Sequence, residues 1–170
     1  MLRRLLKTIK RAREPENVKR ARNAAEIVAR GAALTLNHVE LDYRRLPAFI
    51  STKLVGYLHG YSSFICTSWA VQDPGIAIGA TMFAIESIFP ERREFFIELL
   101  SAESLKSAAF VEGGKAGWSD AERMIARKTG SVALLDLLVK DFKAFCNYRE
   151  AADFASKIHK LEEFKPEKEQ

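Results

Sequence analysis

Between Leu54 and Ile85 the chain carries a single charged residue, Asp73. A run this poor in charge has to be covered, either by other parts of the chain or by lipid. A membrane hairpin turning at Asp73-Pro74-Gly75 would leave Lys53 and Arg92-Arg93 on one side. However, the first limb holds His59, Ser62, Ser63, Thr67, Ser68 and Gln72, and the second is too short to cross ~30 Å as a helix. The preferred reading is a central helix surrounded by others.

The rest of the chain reads as helix too. Pro15, Pro47, Pro74 and Pro90 each stand where a helix can begin. Asp73-Pro74 has the form of an N-cap followed by a first helical proline. Ser119-Asp120-Ala121-Glu122 has the form of a capping box, and Asn147 to Glu150 is a weaker version of it. These marks predict helices near 2–12, 16–44, 47–72, 74–89, 91–111, 120–129, 132–146 and 148–163, the second breaking around Gly31 or Asn37. Leu135, Leu138, Phe142 and Phe145 form one helical stripe, and Phe154, Ile158 and Leu161 another. The expected fold is all-α, a single-domain bundle of about seven or eight helices over 14–164. An arm at 1–13 precedes it and a polar tail at 165–170 follows.

One pattern recurs. GYLHGYS at 56–62 and GGKAGWS at 113–119 share Gly, three residues, Gly, aromatic, Ser. In the first copy Gly56 and Gly60 lie one turn apart on a helix, where missing side chains let another backbone approach. In the second, Gly113-Gly114 reads as a helix terminus and Ser119 as the next N-cap. Helix interior in one copy and loop in the other favour coincidence over two related helical halves or a paired ligand site.

The chemistry is sparse. His38, His59 and His159 are scattered without metal spacing, so no metal or cofactor is expected. No nucleophile elbow occurs. His59, Cys66 and Asp73 share a stripe, but seven residues is about 10.5 Å, too far for a triad, and no catalytic residue is assigned. Tyr57, His59, Tyr61 and Trp69 offer aromatic walls with polar tips for a small-ligand pocket, against the plainer reading of core packing. Glu122 to Val139 has a faint helix-turn-helix outline, but Asp136 stands where an apolar residue belongs. Cys66 and Cys146 read as buried, reduced thiols.

The net charge of +5 is concentrated at one end. Residues 1–30 hold ten Lys or Arg against three Glu, a net +7, leaving −2 for the remainder. At about 100° per residue, Leu2, Leu5, Leu6 and Ile9 gather on one side of the arm, opposite Arg3, Arg4, Lys7, Lys10 and Arg11. Such a helix docks on its own bundle, on a second subunit or on another protein, or lies in an anionic membrane interface. Nucleic-acid backbone is a weaker candidate, because no aromatic residue precedes Tyr43 to stack on bases. The arm also has the cation pattern of a transit peptide without its serine enrichment, and no secretory signal is visible. The function expected is a non-enzymatic helical interaction or adaptor protein, homodimeric and cytoplasmic. A peripheral membrane-surface protein anchored by 1–13 is the alternative.

Overall fold

A computed structural model describes residues 14–39, 46–100, 104–126 and 132–142. The described residues form an all-α structure of six α-helices and two 3-10 turns. The arm helix at 2–12, the helix at 148–163, Cys146 and the stripe of Phe154, Ile158 and Leu161 lie outside them.

Helix α1 spans Glu16–Val39. It continues through Gly31 and Asn37, so the break expected there is absent. Its inward face is small: Ala21, Ala24, Ala25, Val28 and Ala32 are buried, with Leu36 beyond. Gly31 is a packing notch rather than a breaker, since a Cβ there would stand 2.7 Å from the Tyr61 hydroxyl.

Helix α2 spans Ala48–Ser68 and is the core of the molecule, buried at fourteen positions from Ile50 to Cys66. It ends earlier than Gln72 because Ala70 takes a left-handed conformation (φ 56°). Val71 N–H then donates to Cys66 O at 2.9 Å and Ala70 N–H to Thr67 O at 2.9 Å, the Schellman closure of a helix C-terminus.

Helix α3, Pro74–Ile88, starts as the sequence predicts: Asp73 is the N-cap and its carboxylate accepts from Gly75 N–H at 2.9 Å. Its buried face of Ile76, Ala77, Ala80, Thr81, Ala84 and Ile85 packs mainly on α1, and a Cβ added at Gly79 would just reach Ala21 Cβ at 3.4 Å. Arg22 also straps the two helices, lying 4.5 Å over the Phe83 ring while bonding Glu14 at 2.7 Å.

The helix expected over 91–111 is not formed. Pro90–Arg92 is a 3-10 turn, α4 is a short helix at Arg93–Glu98, and Ser104–Lys106 is a second 3-10 turn. Aromatic packing holds this corner: Phe96 is fully buried and stacks on Phe89 at 4.2 Å, with Arg92 4.1 Å above Phe95.

Helix α5 spans Ala108–Ile125, capped by Ser107, whose hydroxyl accepts from Phe110 N–H at 3.2 Å. This corrects two expectations. Gly113-Gly114 is not a terminus, and Ser119 is not an N-cap, because both lie in mid-helix.

Helix α6, Val132–Phe142, buries Leu134, Leu137 and Leu138. Of the expected stripe, Leu138 is in the core and Leu135 packs against it half-buried, while Leu134 and Leu137 widen the buried face. No helix among the described residues is long and apolar enough to cross a membrane.

Candidate functional site

The two glycine stretches meet. A Cβ on Gly56 would overlap Phe110 O, and one on Gly113 would overlap Lys53 O. Likewise Gly60 stands against Gly114 O, and Gly117 against Tyr57 O. Each contact maps onto its counterpart by a shift of 57 residues, so α2 and α5 run parallel and share one reciprocal, locally twofold seam. The hydrogen occupying each glycine's Cβ position points at the opposing carbonyl, the arrangement of a weak Cα–H···O bond. The likeness of 56–62 and 113–119 is therefore structural, which overturns its reading as coincidence.

One flank of this seam is sealed by a polar node. Asp120, buried on α5, accepts from Ala133 N–H at 3.0 Å, from Leu134 N–H at 2.9 Å and from Tyr57 OH at 3.2 Å. Its carboxylate thus caps α6 from another helix, so the supposed capping box contributes a cap, but not to its own helix. Burial pushes the Asp120 carboxyl above the usual range, and the two amides and the Tyr57 hydroxyl oppose that rise. Nearby, Tyr61 OH donates to Met124 Sδ at 3.1 Å. Burial first, then the Asp120 charge, pushes the Tyr61 phenol up to about 12. Glu112 ties α2, α5 and α6, bonding Lys53 at 2.8 Å and Lys140 at 3.0 Å. The bonds from Lys53 and Lys140 hold its carboxyl below the ordinary value.

The four residues considered for a ligand pocket are not gathered into one. Tyr57 and Tyr61 pack in the core with ring centres 5.9 Å apart. His59 lies against Phe110 and 3.3 Å from Thr81 Oγ1, and burial lowers its pKa. Trp69 is exposed at the C-cap of α2. Cys66 is free and buried, its thiol raised by burial, and Asp73 is spent on capping. Among the described residues no group of three or more His, Cys, Asp or Glu could hold a metal ion. Residues 1–13, with the expected docking residues of the arm, lie outside the described part of the chain.

The opposite flank of the seam is open. A groove of about 410 Å³ runs there, lined by Gly60, Ser63, Gly114, Lys115, Trp118, Ser119 and Glu122. Trp118 stands edge-on to Phe64 at 5.0 Å. Along the outer face of α5, Val111, Trp118 and Ile125 follow one another at seven-residue spacing and are 45%, 41% and 50% exposed. At about 100° per residue they occupy an arc of roughly 40°, with Lys115 and Glu122 beside them. Three large apolar side chains in one row, flanked by one cation and one anion, suit the burial of a partner surface. Sequence reasoning missed this face because a helix end was drawn through it; the seven-residue spacing was its only signal.

No family model matches the chain. No curated protein and no solved structure is significantly similar to it.

Proposed function

We propose that this protein is a non-enzymatic helical interaction module that presents α5 to a protein partner and uses its basic arm as a second, electrostatic contact. The observation that carries the reading is the exposed row of Val111, Trp118 and Ile125 on a helix whose adjoining face is fixed, backbone to backbone, against α2. A rigid helix loses little entropy on docking, and a Trp at the centre of an apolar row is the kind of residue that dominates binding energies. Tyr57, Tyr61 and Asp120 are enclosed and engaged in structural bonds. In the arm, the leucine side of Leu2, Leu5, Leu6 and Ile9 and the cation side of Arg3, Arg4, Lys7, Lys10 and Arg11 supply the adaptor's other handle.

The test places a photo-crosslinking residue at position 118 and, as a control, at exposed Arg30 on α1, in the full chain in its host cell. Protein adducts at 118 and none at 30 are expected; no adduct at 118 sinks the reading. Co-sedimentation with anionic phospholipid vesicles, lost on removing residues 1–13, would instead favour membrane-surface attachment.

A further inference from the structure

Resting on that reading, we infer that the partner seated on the α5 face is a second copy of this chain, its α5 antiparallel to the first. The face is self-complementary about Trp118. Val111 lies seven residues before it and Ile125 seven after, while Lys115 lies three before and Glu122 four after. Turning a second α5 end over end about Trp118 sets Val111 of each chain against Ile125 of the other. The same turn brings each Lys115 to the other chain's Glu122, so both apolar and charged contacts are made twice, as an isologous interface requires.

A parallel pairing in register would instead set Lys115 against Lys115 and Glu122 against Glu122, and is disfavoured by charge. Within its own chain neither side chain has an ion-pair partner among the described residues, whereas Glu112 on the adjoining face is already held by Lys53 and Lys140. Eighteen residues of α5 give about 27 Å of helix along which the copies meet. Trp118 doubles at the centre, with Phe64 of each chain bracing its ring from below.

The experiment is sedimentation equilibrium of the full chain with charge-reversed variants. Wild type forms a dimer. K115E and E122K each place like charges opposite one another twice and weaken that dimer by at least about tenfold. An equimolar mixture of the two variants restores it as a heterodimer, because every facing pair is again opposite in sign. Helix content by circular dichroism stays unchanged, since both positions are exposed.

A monomeric wild type, single variants that dimerise like wild type, or a mixture that fails to recover would each overturn the inference. Adducts from position 118 to a different protein, with a monomeric purified chain, would overturn the second copy and leave the interaction reading standing.

Discussion

Gly113 and Gly114 are adjacent in sequence, yet alanine at the two positions should move stability in opposite directions. A Cβ on Gly113 would lie 2.8 Å from Lys53 C and 2.9 Å from Tyr57 N, well inside ordinary contact. Those atoms are backbone, so no side chain can rotate away and α2 must part from α5. Overpacking of this kind costs about 1–3 kcal/mol, against which the better helix propensity of alanine returns about 1 kcal/mol. At Gly114 the nearest atom, Gly56 O, is 3.7 Å from the added Cβ, an ordinary contact. Only the propensity term remains there, and Gly114→Ala should stabilise by up to about 1 kcal/mol.

The propensity gain is common to both variants, so they should differ by the overpacking cost of about 1–3 kcal/mol, or roughly 2–12 °C in Tm for a chain of this size. Gly60→Ala and Gly117→Ala belong with Gly113→Ala, although the sequence alone suggests that alanine at position 60 would be mild. Urea melts with unchanged m-values would measure this. Equal stability of the Gly113 and Gly114 variants would refute the backbone-to-backbone seam.

Asp120→Ala strips two amides of α6 and the Tyr57 hydroxyl of their acceptor and should cost about 2–3 kcal/mol in a thermal melt; a neutral result would remove Asp120 as the cap. Ala70→Gly relieves a left-handed alanine and should raise stability by up to about 1 kcal/mol after the greater freedom of glycine in the unfolded chain is counted. A lower Tm would contradict the assigned backbone conformation. His59 has its pKa lowered from 6.5 by burial, so the unfolded chain binds more protons just below that pH. Its contribution is complete above 6.5 and is lost as pH falls toward the lowered folded value. Tm should therefore drop on acidification more steeply in wild type than in His59→Gln, and parallel curves would argue against a buried neutral imidazole.

What was legible in the sequence was the chemistry that acts locally. Asp73-Pro74 starts α3 because both the side-chain cap and the fixed proline φ act within one turn. The uncharged run marks α2 as central because burial excludes charge wherever the covering comes from. What misled was local chemistry overruled from a distance. Two adjacent glycines weaken a helix in isolation, but at 113–114 the facing backbone of α2 makes their bareness the condition for contact. Ser119 to Glu122 spells a capping box in mid-helix, and its Asp120 caps a helix that begins twelve residues later. The stop at Ala70 carries no glycine to announce it. Tyr57 and Tyr61 read first as core and only second as pocket, but their partners, Asp120 and Met124, lie 63 residues away and carry no local signal. The α5 row was hidden by the boundary error alone.

The seam between α2 and α5 also has a consequence for how the chain is made. Its two sides lie 57 residues apart, so α2 leaves a ribosome well before the helix that covers it exists. At about 5–20 residues per second the delay is about 3–11 s. Throughout that interval α2, with Lys53 as its one charged residue, has α1 and α3 for company but no α5, and its glycine face is open to any other small-residue helix. A second nascent chain offers such a face in its own α2. Slow or stalled synthesis before residue 108 should therefore favour aggregation, and the order of emergence, rather than the stability of the finished bundle, is where this fold is most vulnerable.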